Sequence, residues 1–195
     1  MSARQLLSRM RSLGRAAWYT LRFAGRNIRV DRTSMVSRRS VLRTIGGGSI
    51  RVGAHCEIHD FSMILTYGGQ IEIGDHCSLN PFSIVYGHGG VRMGRGVRIA
   101  AHSVIIPANH IRGDGDSPAY LKGVRSRGID IGDDVWIAAG CRILDGVTIG
   151  PHSIIGAGSV VTRSVPANTT AVGVPARPLP VPQRSLGVSP DIHGA

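Results

Sequence analysis

The chain has 195 residues, enough for one domain with a single core and a short appendage at each end. Its 27 glycines and only three phenylalanines indicate tight backbone geometry rather than a core filled by aromatic rings. The net charge is +11, but eleven of the 23 basic residues and only one of the 12 acidic residues lie in residues 1–43. Because this charge belongs to the N-terminus and no RNA- or DNA-binding motif accompanies it, we expect no nucleic-acid partner.

Residues 1–44 are predicted to form a basic, helical N-terminal segment. Apolar residues recur there at three- and four-residue spacing, namely Leu6, Met10, Leu13, Ala17 and Leu21. Arginines surround them, namely Arg4, Arg9, Arg11, Arg15 and Arg22. Two interpretations stay open: residues 1–30 rest on an anionic membrane surface, or the helix packs on the rest of the protein or on its oligomeric partners. Because arginines interrupt the stretch AAWYTLRFAG, we expect neither a membrane span nor a secretory signal.

Residues 45–178 are predicted to form one solenoid domain because they repeat with a period of six. Each hexad has an aliphatic residue at position one and a small or β-branched residue at position five, as in VGAHCE at 52, IGDHCS at 73, IGDDVW at 131, IGPHSI at 149 and IGAGSV at 155. This period is neither that of a helix nor the alternation of a flat sheet. It suits three short strands per 18-residue turn, with turns stacked about 4.8 Å apart, and Ile131 to Ile149 spans one such turn.

The register of the hexads predicts where cysteines and histidines lie. Cys56, Cys77 and Cys141 occupy position five, so we expect them to fill the core as reduced thiols in the cytoplasm. Four histidines occupy position four and are expected at solvated corners on more than one face: His55, His76, His102 and His152. Because these imidazoles do not converge on one point, we expect no metal site.

The hexads stop after IIPANH, which ends at His110, and resume at Ile129. The intervening stretch, IRGDGDSPAYLKGVRSRG at 111–128, combines glycine, proline and mixed charge, so it is predicted to be an excursion loop. Long loops on rigid scaffolds often carry recognition, and Tyr120 and Lys122 are candidate substrate contacts. Residues 179–195 are predicted to form a flexible C-terminal tail.

The tract IDIGDDVWIAAGCRILDGVTIGPHSIIGAGSVVTRSVPANTTAVGVPAR at 129–177 resembles the hexapeptide-repeat acyltransferases. LNPFSIVYGHGG at 79–90 and IAAHSVIIPANH at 99–110 are most similar to acetyltransferases of the exopolysaccharide, capsule and lipopolysaccharide pathways. The resemblance covers about residues 45–178. It implies an all-β fold, a left-handed parallel β-helix, here preceded by the basic amphipathic helix.

The resemblance also implies roles for particular residues. His110 matches the catalytic histidine, Asn80 matches the asparagine that positions the acceptor hydroxyl, and Trp136 matches the tryptophan of the active-site tunnel. His88 lies one turn below the IIPANH strand and is a further candidate for substrate binding. Acetyl-CoA is the implied co-substrate, with no metal, and its binding residues would be Ala138, Ala139, Ala157, Gly158, Thr162, Arg163 and Arg177. A backbone N–H of the Ala138–Ala139 stretch would also stabilise the oxyanion.

The function so implied is an acetyl-CoA-dependent O-acetyltransferase that acts on a sugar hydroxyl of a surface polysaccharide or its precursor. Asn80 and His110 fall at different corners of the solenoid, which agrees with the homotrimers of the family and active sites between subunits. Three alternatives stay open: an N-acetyltransferase of an amino-sugar nucleotide, a non-catalytic scaffold, and a metal-dependent hydratase of the γ carbonic anhydrase kind. The His-x4-His spacing of that hydratase is absent from the sequence. We expect a cytoplasmic protein, with peripheral contact at the inner face of the membrane left open.

Overall fold

The computed structural model describes residue 14, residues 18–111 and residues 122–180. In these ranges the chain winds into a solenoid of six turns, each with three short strands. The first three turns comprise β1 (Ile28–Val30), β2 (Met35–Val36), β3 (Val41–Arg43), β4 (Ser49–Val52), β5 (Glu57–Ile58), β6 (Met63–Leu65), β7 (Gln70–Ile73), β8 (Ser78–Leu79) and β9 (Ile84–Tyr86). The fourth comprises β10 (Val91–Met93), β11 (Arg98–Ile99) and β12 (Val104–Ile106).

An excursion follows the fourth turn, and its two described ends are β13 (Asn109–His110) and β14 (Val124–Arg125). The last two turns comprise β15 (Ile129–Ile131), β16 (Trp136–Ile137), β17 (Arg142–Leu144), β18 (Thr148–Ile149), β19 (Ile154–Ile155) and β20 (Val160–Val161). A closing hairpin comprises β21 (Thr170–Gly173) and β22 (Ala176–Pro178). The all-β, left-handed parallel β-helix predicted from the sequence is confirmed.

Equivalent strands of successive turns form three parallel sheets, so the solenoid is a three-sided prism. The first sheet has the order β1-β4-β7-β10-β15-β18, and the third has the order β3-β6-β9-β12-β17-β20. The second sheet, β2-β5-β8-β11-β16-β19, continues into the hairpin β21-β22. We name the corners by their place in each turn: the first corner joins first and second strands, the second corner joins second and third strands, and the third corner leads to the next turn.

The turns differ in length, and the difference lies at the third corner. Ile131 pairs with Ile149, which gives the 18-residue turn that the hexads predicted. Ile50, by contrast, pairs with Ile28 below it and with Ile71 above it, so the lower turns are longer. Their extra residues are the glycine-containing corners 44–48, 66–69 and 87–90. A uniform 18-residue turn was therefore wrong for the N-terminal half.

The ladder also begins at Ile28, earlier than the predicted solenoid start at residue 45. Residues 28–43 form the first turn, with Val36 and Leu42 buried in the core. The hexads VDRTSM at 30 and VSRRSV at 36 carry the repeat at this point. The long third corner at 44–48 shifts them out of phase with later hexads, which hides the turn from a search at fixed period.

The core follows the predicted hexad positions. Position-one residues such as Ile99, Ile137 and Ile155 are fully buried. The position-five cysteines are buried free thiols, as predicted. Buried serines occupy the same position in other hexads and bond to backbone groups, as Ser103 Oγ does when it donates to Ala138 O of the next turn at 2.8 Å. In the described ranges, small polar side chains therefore fill the corners of the core without leaving a buried hydroxyl unpaired.

Residues 18–22 are helical and close the N-terminal end of the solenoid. Tyr19 and Phe23 are buried in the core, and the Tyr19 hydroxyl donates to Ser34 O at 2.7 Å and accepts from Val36 N at 3.0 Å. The Arg22 guanidinium donates to the backbone carbonyls of the first turn. This part of the helix packs on the solenoid, whereas residues 1–13 and 15–17 lie outside the described residues. No helix in the described ranges is long and apolar enough to cross a membrane.

Candidate active site

His110 lies outside the solenoid, at the base of the excursion. The third strand of its turn ends at Ile106, and His110 pairs with Val124 in the antiparallel ladder of β13 and β14. The prediction that His110 closes the third strand was therefore wrong by a few residues. Once the chain leaves the prism, its backbone groups find partners only in the returning segment, so a separate two-stranded arm forms. The His110 side chain is exposed there.

Asp145, at the third corner of the turn above, holds the base of this arm. Its Oδ1 accepts from the backbone N–H groups of Arg127 at 2.6 Å and Gly128 at 3.1 Å. Its Oδ2 lies 3.5 Å from the amide nitrogen of Asn109, the neighbour of His110. One carboxylate thus contacts both the outgoing and the returning strand of the arm.

An aromatic cluster lines the third corner in the turns below. The ring of Tyr67 stacks on His88 with centroids 4.7 Å apart and an interplanar angle of 10°. Tyr86 approaches both rings, at 5.8 Å from Tyr67 and edge-on at 6.1 Å from His88. His88 Nδ1 is buried and has no hydrogen-bond partner among the described residues. Burial, together with the charge of nearby His110, lowers the pKa of His88, which keeps its imidazole neutral near pH 7.

Asn80 lies at a different corner from His110, as predicted. It follows β8 at the second corner, where its side-chain Nδ2 donates to Ile99 O of the next turn at 3.0 Å. This bond fixes the orientation of the amide, and the amide oxygen is its remaining acceptor. Within one chain the structure does not bring Asn80 and His110 together.

The predicted residues for the pantetheine arm follow the second corner over two consecutive turns. Trp136 is 51% exposed on the second sheet, and Ala138 and Ala139 come directly after it. Ala157 and Gly158 lie one turn higher, with Gly158 N donating to Ala139 O at 2.8 Å. These residues form one continuous surface, away from His110 of the same chain.

One predicted oxyanion donor is ruled out by the ladder. Ala138 N donates to Ile155 O at 2.9 Å, so this N–H is already paired within the second sheet. In contrast, Ala139 N has no acceptor among the described residues, and its residue is exposed. Of the two oxyanion donors that the sequence predicted, only the Ala139 N–H therefore stays a candidate.

The remaining predicted residues are dispersed. Thr162 and Arg163 are exposed at the third corner above Asp145, whereas Arg177 is exposed on β22 at the end of the second sheet. Lys122 is partly buried next to β14, where the arm returns. Tyr120 lies outside the described residues. Among the described residues, no three His, Cys, Asp or Glu side chains converge as a metal-ligand set.

The residues predicted for the site from the sequence did not include Tyr67, Tyr86 or Asp145. A signal for the tyrosines existed, because TYGG at 66–69 and VYGHGG at 85–90 are similar glycine-rich corners that each carry a tyrosine. Asp145 lies inside an ordinary hexad, ILDGVT, and its partners are 17 to 36 residues away in the chain. No sequence pattern links it to the arm.

Comparison with known proteins agrees with this architecture. Residues 128–163 match the family described as bacterial transferase hexapeptide (six repeats). Galactoside O-acetyltransferase of Escherichia coli is 55% identical over 49 residues, which cover 25% of this chain and 24% of the relative. Galactoside O-acetyltransferase of Lactococcus lactis is 51% identical over 45 residues, 23% of this chain and 22% of the relative. The chain thus spans about a quarter of the length of the curated relatives it matches.

Solved structures match over most of the chain. A mutant of AntD, an N-acyltransferase from Bacillus cereus, in complex with dTDP and coenzyme A is 25% identical, with a TM-score of 0.67 over 77% of this chain and 82% of that one. A hexapeptide-repeat acetyltransferase of Vibrio cholerae complexed with acetyl coenzyme A is 26% identical, with a TM-score of 0.53 over 92% of this chain and 89% of that one. The chain therefore carries the bacterial transferase hexapeptide repeat at residues 128–163, within the fold of the left-handed β-helix acyltransferases.

Proposed function

We propose that the protein is an acetyl-CoA-dependent acetyltransferase whose acceptor is a sugar. The observation that carries the proposal is the position of His110, exposed at the base of the arm and close to His88, which stacks on Tyr67. The relatives named above support it, since two are galactoside O-acetyltransferases and two solved neighbours hold coenzyme A or its acetyl ester.

In the proposed reaction His110 is the general base. Its neutral imidazole takes the proton of the acceptor hydroxyl, and the acceptor oxygen attacks the carbonyl carbon of the acetyl thioester. The unpaired N–H of Ala139 donates to the oxyanion of the tetrahedral intermediate. Collapse of the intermediate breaks the carbon–sulfur bond, and the CoA thiolate leaves and can accept the proton held by His110. The cysteines take no part, because all three are buried.

We further propose that the active site forms between subunits of a homotrimer. His110 is at the third corner, whereas Asn80, Trp136 and Ala139 are at or beside the second corner. A neighbouring chain can supply its second corner to the third corner of this one, which would join acceptor, base and oxyanion donor in one cleft. The pantetheine arm would follow Ala139, Ala157 and Gly158. The CoA phosphates would lie near Thr162, Arg163 and Arg177, whose donors suit phosphate oxygens.

For the acceptor we propose a hydroxyl of a surface polysaccharide or its precursor, with Asn80 orienting the hydroxyl. The alternative acceptor is the amine of an amino-sugar nucleotide, and the similarity to AntD, an N-acyltransferase in complex with dTDP, supports this alternative.

We propose a cytoplasmic enzyme. Contact of residues 1–30 with an anionic membrane remains the alternative to packing, and the contacts of Tyr19, Arg22 and Phe23 favour packing for that part of the helix.

The test is turnover by the His110→Ala variant. We expect kcat to fall by about 10²- to 10⁴-fold with the KM for acetyl-CoA unchanged, because the base is lost and the donor site is not. CoA release is measured with hydroxyl sugars and with amino-sugar nucleotides as acceptors. The matched control is His152→Ala, an exposed corner histidine at the first corner, which should leave turnover intact.

The outcomes separate the candidate functions. Undiminished turnover in His110→Ala would refute the mechanism, and labelling of an amine instead of a hydroxyl would establish the N-acetyltransferase. Absence of turnover in the wild type with every saccharide would favour the scaffold. For the proposed O-acetyltransferase, mass spectrometry should show that the cell-surface glycan carries one acetyl group fewer in the absence of the protein.

A further inference from the structure

We propose that Tyr67 forms a second acceptor subsite, so that the acceptor is an oligosaccharide or polysaccharide of at least two sugar residues that runs from His110 along the third corner. The inference rests on the proposed function and adds a second sugar-binding subsite and the direction in which the acceptor extends. It would disfavour a single sugar, free or attached to a nucleotide, as the preferred acceptor.

Tyr67 lies lower along the prism than the strand from which the arm with His110 leaves. Strands β6, β9 and β12 are neighbours in the third sheet, and the corners that follow them carry Tyr67, His88 and, after β12, His110. Parallel strands lie about 4.8 Å apart, so two steps place Tyr67 about 10 Å below the level of β12, from which the arm with His110 leaves the prism. One sugar ring bound at His110 does not reach this far, whereas a second ring does.

Tyr67 offers an exposed aromatic surface. Its side chain is 41% exposed although it stacks on His88, and its backbone has a φ of 45°, in the left-handed region that bulky residues rarely adopt. The corner below, residues 44–48, ends in three glycines, and a Cβ built on Gly47 would meet nothing within 4 Å. The part of the Tyr67 ring that His88 does not cover is exposed.

A polar side chain lies between Tyr67 and His110. His88 lies between Tyr67 and His110, and its buried Nδ1 has no partner among the described residues. The neutral tautomer that avoids a buried, unpaired N–H carries its proton on Nε2. We assign that tautomer, which gives His88 one N–H donor for a sugar hydroxyl. Its lone pair is then on the buried Nδ1, so the role of base falls to His110.

These features match the chemistry of a glycan. A pyranose has an apolar face of C–H groups, which packs on an aromatic ring, and a rim of hydroxyls, which bind donors and acceptors. Tyr67 supplies the ring at one end, His88 supplies a donor in the middle, and His110 takes the proton of the reacting hydroxyl at the other end. The order of the three groups also sets the direction in which the chain of sugars extends.

The experiment compares acceptors of increasing length. Glucose, galactose and N-acetylglucosamine, each as the mono-, di- and trisaccharide of one linkage, are the probes, and kcat/KM is measured with acetyl-CoA in excess. We expect kcat/KM to rise from one sugar to two in the wild type. Tyr67→Ala should lower kcat/KM for the di- and trisaccharide by about threefold to tenfold and leave the monosaccharide unchanged, because only the second ring contacts Tyr67.

Two further variants make the result specific to the ring of Tyr67. Tyr67→Phe keeps the ring and should restore the length preference. His55→Ala is the matched control, because His55 belongs to the same turn, has a φ of 55° and stacks on His76 at 5.0 Å, but lies at the first corner. It should behave as the wild type does.

Equal kcat/KM for one sugar and three, or a length preference that survives Tyr67→Ala, would overturn the subsite while leaving the acetyltransferase intact. Transfer to none of the probes, together with no release of CoA, would instead overturn the proposed function and the subsite with it. The two failures are therefore distinguishable in one set of assays.

Discussion

At the scale of single residues, side-chain type and exposure alone do not separate the proposed catalytic histidine from the structural ones. His55, His76, His102 and His152 each have a φ between 55° and 62° and lie exposed at a corner, where the ring points away from the core. His110 is exposed as well, but it is the one that begins the excursion and lies near His88. His110 therefore differs from the other histidines in its neighbours and not in its own chemistry. Its place before the excursion is visible in the sequence, whereas its neighbours come from the third corner.

The interaction of His88 with His110 gives a prediction for titration. Burial and the charge of His110 both lower the pKa of His88, so removing the charge with His110→Ala should raise that pKa towards its ordinary value. Because the folded-state pKa is the lower one, the stability that His88 contributes is present above about pH 6.5 and is lost as the pH falls below it.

Ring resonances of His88, followed by NMR against pH, measure this directly. His152→Ala, at the first corner, should leave the His88 titration unchanged. A His88 titration that is the same in the wild type and in His110→Ala would show that the two rings do not interact.

At the scale of elements, the sheets are regular and the corners carry the variation. Buried position-one residues stack in register through all three sheets, since each parallel pair aligns like positions, as Ile99 does with Ile137 and Ile143 with Ile105. The third corner differs in length from turn to turn and opens into the arm after the fourth. Rigid sheets thus present a variable edge, on which the candidate site is built.

Asp145 is expected to position His110 through the base of the arm. Asp145→Ala removes the acceptor of the Arg127 and Gly128 N–H groups, which should loosen β13 and β14 and lower kcat by about tenfold to 100-fold with the KM for acetyl-CoA unchanged. Asp145→Asn keeps an acceptor oxygen and should retain most of the activity. Hydrogen exchange at residues 109–111 and 124–128 should accelerate in Asp145→Ala alone.

Asp133→Ala is the matched control, because Asp133 belongs to the same turn and accepts from Arg95 N at 2.8 Å, but at the first corner. It should change neither kcat nor exchange in the arm. Unaltered exchange in Asp145→Ala would contradict the positioning role, and this readout does not depend on the activity of the protein.

At the scale of the whole molecule, a solenoid needs its ends closed, because an end turn exposes the core that the next turn would cover. Tyr19 and Phe23 cover the N-terminal end, and the hairpin of β21 and β22 extends the second sheet at the other. The corners along the solenoid take no part in this closure. In the proposed trimer, the second corner of one chain, with Asn80 and Ala139, would lie against the third corner of another.

Closure of the N-terminal end can be tested with Tyr19→Phe. The variant deletes the hydroxyl that contacts Ser34 O and Val36 N in a buried position, so the free energy of unfolding should fall by about 1 to 3 kcal/mol. Leu21→Ala on the same helix is the control, because Leu21 is 80% exposed, and its effect should stay within about 0.5 kcal/mol. Chemical denaturation measures both. An equal loss in the two variants would show that the two hydrogen bonds of the buried hydroxyl make no contribution beyond that of an exposed side chain of this helix.

Much of the fold follows from the sequence alone, because the hexad period decides which side chains face inward. It predicted the buried Cys56, Cys77 and Cys141, the exposed corner histidines and the turn from Ile131 to Ile149. It missed the first turn, since a corner of different length shifts the phase of the repeat and a fixed period then loses it. The resemblance supplied the handedness and the candidate roles, which no period contains.

The sequence by itself determined the inward positions of the hexads from residue 45 onward and located the excursion to within a few residues of Ile106, where the third strand ends. Only the tertiary structure decided which residues lie along the third corner and the arm. Tyr67, Tyr86 and His88 form one cluster there, His88 lies near His110, and Asp145 holds the base of the arm. The physical reason is that inward positions depend on a local period, whereas neighbours at a corner depend on how turns of unequal length stack. Residues far apart in the chain come together there through the register of the ladders.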